Sequence, residues 1–303
     1  MLTQQQIEER QNGIFSTDAP AALGFSRYSS PADVFMRKTG QMAAPDLSAN
    51  EAVQMGNFME PVIARLYEER QGIALMQLPI TMWHPTHTFM GSHFDYKQKN
   101  ANKLVEIKNF SATRRGEFGE NGSDEVPMDV LIQCIHEATV FGTDAIDLAV
   151  LFGGQQFCVF GLTIDTLAKD RLIELEEEFW RTCIVERKAP LPRTVEEARA
   201  LFPNDAGTAL VADTNLILTV DRLKQIKQSI KDLEVVEDQL SAEIQGQLGE
   251  HNTVMSQEGT VLATWKKSKD SKRFDKDSFE KQHPSLYAQF TVSQPGSRRF
   301  LVK

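Results

Sequence analysis

Apolar residues recur along most of the chain with one of two periods, and these periods predict where strands and helices lie. Alternation, or a short apolar run, predicts strands at residues 73–83, 89–96, 103–109, 147–152 and 157–163. Spacing of three and four predicts helices at residues 51–71, 127–141 and 165–187. The polar segment 97–102 is typical of a hairpin connection. Paired strands with covering helices predict an α/β fold, a mixed sheet flanked by helices.

The first forty residues predict two short helices around a turn-rich segment, residues 12–18. Thr17 or Asp18 is placed to cap a helix that ends at Gly24, and a second helix is expected from Ser30-Pro31 to Gly40. Pro61 interrupts the pattern of residues 51–71, so it must either kink that helix or open a new one.

A composition break marks a domain boundary near residue 205, where Pro190, Pro192 and Pro203 precede Asn204-Asp-Ala-Gly207. We therefore predict a core at residues 1–205 and a C-terminal α+β appendage at residues 206–303. Apolar residues spaced three and four apart from Leu223 to Leu248 predict an amphipathic helix of about seven turns. This stripe could pack on the core or on another subunit. A short hairpin is expected near Thr253 and Val261.

Charge is distributed unevenly along the 303 residues. The net charge of −9 argues against a protein that coats DNA by bulk attraction, but it leaves room for a local basic groove. Residues 261–303 carry a net charge of +6. In this tail the basic run 266–273 follows Trp265, and it could bind a phosphate backbone or be a solvated face.

Several classes of protein and site are disfavoured. No apolar run is long enough for a membrane span, and the polar N-terminus is unlike a secretion signal, so we expect a cytoplasmic protein without a membrane partner. Cys134, Cys158 and Cys183 lie in apolar patterns and are expected to be reduced core thiols. His84 and His87 flank a proline without a third ligand nearby, so a metal site is not expected there.

The strongest chemical signal is Asp95 followed by Glu106-Ile-Lys108. Two adjacent strands could bring both carboxylates to one edge of the sheet, and alternation places Glu106 and Lys108 on one face and Ile107 on the other. Phosphodiester hydrolysis needs hard oxygen ligands for Mg²⁺ or Mn²⁺, an activated water and positive charge near the phosphate. Asp95 and Glu106 could hold the metal, and Lys108 could orient water.

The spacing alone also fits a surface hairpin with solvated charges. Its context favours the site, because Glu106 lies in the apolar strand Leu104-Val-Glu-Ile-Lys108, where an inward-facing acid is costly without a cation. Glu60 precedes these strands as a further candidate carboxylate, and Gln133 lies on the helix that follows. His136 shares the face of Gln133, so it could line a cleft or be a core histidine.

Four motifs in this order resemble those of the YqaJ-type viral recombinases, relatives of phage lambda exonuclease among the PD-(D/E)XK nucleases. They are Gly56-Asn-Phe-Met-Glu-Pro61, Gly91-Ser-His-Phe-Asp95, Leu104-Val-Glu-Ile-Lys108 and Gln133-Cys-Ile-His136. The resemblance extends from about Arg10 to Thr163. It implies a restriction-endonuclease-like core, and an order of four motifs is far more specific than any one of them.

The resemblance also implies a role for each site residue. Asp95 and Glu106 would ligate Mg²⁺, or Mn²⁺ as a substitute, Glu60 would do so directly or through water, and the carbonyl of Ile107 would be a further ligand. Lys108 would be the catalytic lysine. Gln133 would orient that lysine or the nucleophilic water.

The segment Ser16-Thr17-Asp18, with Arg10 seven residues before Thr17, resembles the turn with which this family reads a terminal 5′ phosphate. An Arg guanidinium and a hydroxyl are suited to such a group. Either Ser16 or Thr17 could supply the hydroxyl. A helix cap by Asp18 with a surface Arg10 explains the same residues.

The site residues predict metal-assisted phosphodiester hydrolysis, and the resemblance implies a Mg²⁺-dependent exonuclease that degrades linear double-stranded DNA in phage-type recombination. The resemblance implies 5′ to 3′ polarity, a trimeric ring around DNA and a single-strand annealing protein as partner. An endonuclease or repair nuclease with the same core, and a non-catalytic module that binds DNA ends, are the alternatives.

Overall fold

The computed structural model describes residues 4–294 and 296–303, and these form two compact units that divide between Phe202 and Pro203. The described part of the first unit has eight strands: β1 (Ile14–Phe15), β2 (Leu75–Gln77), β3 (Thr81–Trp83), β4 (Met90–His93), β5 (Tyr96–Gln98), β6 (Leu104–Phe110), β7 (Ala145–Phe152) and β8 (Gln156–Thr163). Its helices are α1 (Gln4–Glu9), α2 (Ala19–Ala22), α3 (Pro31–Lys38), α4 (Glu51–Gln71), α5 (Met128–Phe141), α6 (Thr166–Phe179) and α7 (Val195–Leu201). The boundary expected near residue 205 stays a prediction.

Five strands form a mixed central sheet in the order β2-β5-β6-β7-β8. Strands β6 and β7 are parallel, because α5 connects them across one face, and the other neighbours are antiparallel. This α/β architecture agrees with the fold class predicted from the sequence.

Each face of the sheet packs on a helical layer, because side chains alternate along the central strands. Leu104 of β6 faces the core under α5, whereas Val105 and Ile107 pack against Ile63 and Tyr67 of α4. A third apolar cluster joins α2 and α3 to α5, α6 and the π-helical turn Trp180–Val185. Glu106 and Lys108 therefore share the α5 face, as the alternation predicts.

Residues 89–96 do not form one strand, so that prediction is wrong. Strand β4 belongs to a separate three-stranded sheet in the order β1-β4-β3, and β5 belongs to the central sheet. The chain changes sheets at Phe94 and Asp95, and Asp95 Oδ2 accepts a hydrogen bond from the Ile107 backbone N–H at 2.9 Å. The Asp95 side chain thus takes the place of a backbone hydrogen bond from a neighbouring strand at this point. The extended segment 73–83 is likewise divided, between β2 and β3.

The segment predicted as a turn at residues 12–18 contains strand β1, which pairs in parallel with β4. The predicted helix cap by Asp18 is wrong: its carboxylate makes no cap hydrogen bond to α2. Its oxygens instead lie 2.7 Å from Lys38 Nζ and 3.4 Å from Arg37 Nη2. Two cationic side chains of the neighbouring helix α3 therefore form ion pairs with the Asp18 carboxylate, and it does not cap α2.

Helix α4 is continuous for 21 residues through Pro61, so the proline does not open a new helix. Asn50 caps its start by accepting hydrogen bonds from two backbone N–H groups, and Gly72 ends it in the left-handed conformation, with φ of 68°. Together these ends fix where Glu60 lies along the sheet.

The second unit contains a long helix, α8 (Thr214–Leu248), a hairpin of β9 (Thr253–Met255) and β10 (Val261–Thr264), and two short helices, α9 (Lys276–Gln282) and α10 (Pro284–Phe290). Helix α8 begins earlier than predicted, because Asp213 caps it by accepting from the Leu216 N–H at 2.8 Å. Among the helices in the described ranges, none has both the length and the apolar character needed to cross a bilayer.

Candidate active site

Strand β6 and the chain just before β5 bring Asp95, Glu106 and Lys108 together. The 2.9 Å hydrogen bond from the Ile107 N–H to Asp95 Oδ2 holds Asp95 beside the middle of β6. Strand β5 pairs only with residues 104 and 105 of β6, so the edge of β6 beyond them is free for the Asp95 side chain. The juxtaposition expected from the spacing of these residues is therefore present.

Glu106 is the centre of the polar contacts at this edge. Its side chain is 5% exposed, and its Oε1 accepts hydrogen bonds from Lys108 Nζ at 2.6 Å and from Gln133 Nε2 at 2.7 Å. A buried carboxylate needs such partners, because leaving it unpaired costs several kcal/mol, roughly 3 or more. Lys108 and Gln133 thus fix the orientation of Glu106.

Lys108 is held as an ammonium. Burial alone would lower the pKa of Lys108, but the negative field around it is stronger and raises that pKa above its ordinary value. The contributing carboxylates are Glu106, Asp95 and Glu137. Lys108 can therefore donate hydrogen bonds and supply positive charge, but it is not suited to accept a proton.

Asp95 and Glu60 show the effect of crowded negative charge. Burial, reinforced by the nearby Glu106 carboxylate, raises the pKa of Asp95 well above its ordinary value. The same two causes raise the pKa of the half-buried Glu60. The contribution of Glu106 to both shifts reflects negative charge that a cation placed among these carboxylates would offset.

The donor chemistry fits a hard divalent cation, since Glu60, Asp95 and Glu106 all offer carboxylate oxygens. The N–H and C=O of one strand residue point to the same side, so the Ile107 carbonyl also faces Asp95. Across the residues that the structure describes, however, no three His, Cys, Asp or Glu side chains are close enough to share a metal ion. The carboxylates would have to rotate towards one another to bind one.

Glu137 is a member of this cluster that the sequence analysis missed. It is 2% exposed, and its Oε1 accepts a hydrogen bond from Gln133 Nε2 at 2.9 Å. Burial and the neighbouring Glu106 raise the pKa of Glu137 well above its ordinary value. Its position four residues after Gln133 is the one signal that could have placed it on the same helix face.

The N-terminal residues Arg10 and Thr17 also meet. Arg10 Nη2 donates a hydrogen bond to Thr17 Oγ1 at 2.5 Å, and it lies 3.6 Å from Asp18 Oδ2. Thr17 is exposed, whereas Ser16 is only 6% exposed. Of the two candidate hydroxyls, the one on Thr17 is therefore the one beside the guanidinium and open to solvent.

Strands β1 and β4 connect this N-terminal cluster to the carboxylates. The ring centroids of Phe15 and His93 lie 4.9 Å apart, and His93 precedes Asp95 by two residues. Burial and, to a smaller extent, the positive charge of Arg10 together lower the pKa of His93 to about 4. The cationic Arg10 is thus close to the chain that carries Asp95.

Other candidates lie outside this cluster. His136 is fully buried, with Nδ1 at 2.9 Å from Glu176 Oε1 and Nε2 at 2.9 Å from the Gly91 carbonyl, so it is a core histidine. His84 Nδ1 accepts the His87 N–H at 3.0 Å within a turn. The three cysteines are free and buried, as expected. The tail run 266–273 is exposed throughout.

Two sequence comparisons agree with the resemblance to YqaJ-type proteins. Residues 7–145 match the model of the YqaJ-like viral recombinase domain. The uncharacterized protein YqaJ of Bacillus subtilis (strain 168) is 25% identical over 318 residues, which cover all of this chain and 95% of that protein.

Solved structures are similar to this chain at lower identity. An alkaline exonuclease, LHK-Exo, from Laribacter hongkongensis superimposes with a TM-score of 0.50 at 14% identity, covering 61% of this chain and 94% of its own. A phage-related exonuclease from Haemophilus somnus 129PT gives a TM-score of 0.44 at 12% identity, covering 58% of this chain and 96% of its own. The first of these likenesses shows a shared fold. Residues 7–145 of this chain are thus similar in sequence to the YqaJ-like viral recombinase domain.

Proposed function

We propose that this protein is a metal-dependent nuclease that hydrolyses phosphodiester bonds in DNA. The observation that carries the proposal is the meeting of Asp95, Glu106 and Lys108 at one edge of β6, with Glu60 and Gln133 beside them. This combination of hard oxygen donors and a fixed ammonium is what phosphodiester hydrolysis requires. We expect Mg²⁺, with Mn²⁺ as a substitute.

When bound, the metal would supply Lewis acidity towards a phosphate oxygen and a more acidic water. Glu60, Asp95, Glu106 and the Ile107 carbonyl would hold it. Lys108 would donate hydrogen bonds to the water or to a phosphate oxygen and would offset charge that develops there. Gln133 holds Glu106 in place through the 2.7 Å contact.

The preferred activity is exonucleolytic, on linear double-stranded DNA and in the 5′ to 3′ direction. It rests on the family resemblance and on the contact between Arg10 and Thr17, whose guanidinium and hydroxyl would suit a terminal 5′ phosphate. The structural relative LHK-Exo is an alkaline exonuclease, which is consistent with this activity. A trimeric ring, a single-strand annealing partner and a role in phage-type recombination in the bacterial cytoplasm complete this proposal.

A comparison of DNA forms tests the activity. Linear duplex labelled at the 5′ or the 3′ end, and covalently closed circular duplex, are incubated with the protein in Mg²⁺ or in chelator. We expect degradation of the linear DNA in Mg²⁺, early release of the 5′ label as mononucleotide, and intact circles. Cutting of circles would favour the endonuclease, and binding of ends without cleavage in Mg²⁺ would favour the non-catalytic module.

A further inference from the structure

Helix α8 presents an apolar stripe along its length of 35 residues, roughly 50 Å. Five apolar side chains on this stripe are between 47% and 68% exposed: Ile226, Ile230, Leu233, Leu240 and Ile244. With Leu223 they lie at positions that alternate in steps of three and four, with Glu237 at the position between Leu233 and Leu240, and this is the spacing of a two-helix seam. An exposed apolar stripe of this length marks an interaction surface.

Charge is segregated along the same helix. Residues 214–231 carry a net charge of +3, and residues 232–248 carry −5 without any Lys or Arg. Two copies of α8 laid antiparallel would place the basic half of each against the acidic half of the other. A parallel pair would place like halves together. The helix is therefore electrostatically complementary to itself in one orientation.

We propose that α8 pairs with α8 of a second copy of this chain as an antiparallel coiled coil. In the register that opposes Leu223 to Leu240 of the partner subunit, Ile230 faces Leu233 of the partner subunit across the centre of the pair. The crossing point then lies between residues 231 and 232, and the apolar stripe is covered over most of its length.

The positions that flank the seam agree with this register. Lys227 lies beside Glu234 of the partner subunit, and Arg222 lies beside Glu243 of the partner subunit, each pair occurring twice by symmetry. A parallel pair would instead oppose Arg222 to Lys227 of the partner subunit. It would also bring Glu237, the one charged residue on the seam itself, against its own copy.

The pairing involves none of the residues of the proposed nuclease site, and its test measures mass and distance rather than activity. The double substitution Ile230→Asp with Leu233→Asp places four charges in the seam of each pair. We therefore expect the mass of the full-length assembly, measured by sedimentation velocity or mass photometry, to fall by half. Val235→Asp is the matched control, because Val235 lies on the opposite side of α8 and is 52% exposed. We expect this control to keep the mass of the unsubstituted protein.

Charge reversal then tests the orientation. Lys227→Glu places two like-charged pairs in the antiparallel register, so we expect the dissociation constant to rise about tenfold at low salt, and adding Glu234→Lys to restore it. In a parallel pair the same Lys227→Glu would meet Arg222 and tighten association. Tighter association after Lys227→Glu would overturn the antiparallel assignment.

A distance measurement provides a third readout. A spin label on Asn215→Cys would lie about 50 Å from its counterpart in the antiparallel pair and about 10 Å from it in a parallel one. The native cysteines are buried. An unchanged mass after Ile230→Asp with Leu233→Asp, or a mass change only when DNA or another protein is added, would show that a different partner covers the stripe and would overturn the proposal.

Discussion

The side-chain amide nitrogen of Gln133 lies 2.7 Å from Glu106 Oε1, so helix α5 acts directly on the central carboxylate of strand β6. The same nitrogen also donates to Glu137 Oε1 at 2.9 Å. One amide group therefore uses both of its hydrogens on two buried carboxylates, and this contact holds the proposed site in one arrangement.

Replacing Gln133 by Leu is expected to lower the rate of DNA cleavage about a hundredfold, because Glu106 loses a donor that fixes its orientation. It also leaves two buried carboxylates with fewer partners, so we expect about 2 kcal/mol of destabilisation. Single-turnover cleavage and urea unfolding measure the two effects. Full activity in a folded Gln133→Leu protein would remove Gln133 from the site.

Two substitutions of Glu137 test whether the shape or the charge of its side chain matters for stability. Because its pKa is raised, the isosteric Glu137→Gln should change the free energy of unfolding by less than about 1 kcal/mol. Glu137→Ala opens a cavity and removes the acceptor of the Gln133 amide, so it should cost about 3 kcal/mol. Equal losses in the two variants would argue against the positional role of this carboxyl group.

DNA with different 5′-terminal groups provides a test of the contact between Arg10 and Thr17. Thr17→Val removes the exposed hydroxyl beside Arg10, and we expect it to abolish the preference for a 5′-phosphorylated end over a 5′-hydroxyl end. Ser16→Ala is the control, since Ser16 is buried, and it should keep the preference. Initial rates on the two kinds of end, measured for both variants, decide which hydroxyl is used. A preference lost only in Ser16→Ala would reverse the assignment.

The buried ion pair of Asp18 and Lys38 predicts a large effect on stability. Their side chains are 7% and 4% exposed, so Asp18→Asn leaves an unpaired buried ammonium and should cost about 3 to 5 kcal/mol. Adding Lys38→Met should recover part of this loss, because the uncompensated charge is then gone. Urea unfolding of the single and the double variant measures these changes in the free energy of unfolding. A double variant less stable than Asp18→Asn would contradict the account.

The pair of His136 and Glu176 predicts a dependence of stability on pH. Burial lowers the pKa of His136, but Glu176 and the Gly91 carbonyl outweigh it, so the pKa in the folded protein is raised. The stabilisation is therefore complete below the pKa of the unfolded histidine, about 6.5, and is lost as pH rises through the higher folded value. The difference in unfolding free energy between the unsubstituted protein and Glu176→Gln should be largest near pH 6 and shrink towards pH 9. A difference that grows with pH would have the wrong sign.

The central strand and its site were predictable because their signals are local. In β6, alternation places Glu106 and Lys108 on one face, and the apolar residues between them mark a buried strand. The division of residues 89–96 was not predictable, because Phe94 and Asp95 contain neither glycine nor proline and the break depends on the tertiary contact with Ile107. Glu137 was missed for a similar reason, since a charged residue on a helix is usually exposed.

The structure of the N-terminal segment was also not predictable from local sequence patterns. Strand β1 has only two residues, too few for a periodic pattern, and it forms because β4 lies beside it. Asp18 has the residue type and position of a helix cap, but Lys38 is 20 residues away and cannot be seen as its partner in the sequence. Contacts between distant segments decided both outcomes.

The central claim is that Glu106 is part of a metal-dependent nuclease site, and its most direct test is the Mg²⁺-dependent cleavage rate of linear duplex DNA by Glu106→Gln. We predict a loss of about a thousandfold or more, with the far-UV circular dichroism unchanged, and normal activity in the surface control Glu178→Gln. Cleavage by a folded Glu106→Gln protein at the unsubstituted rate would contradict the claim.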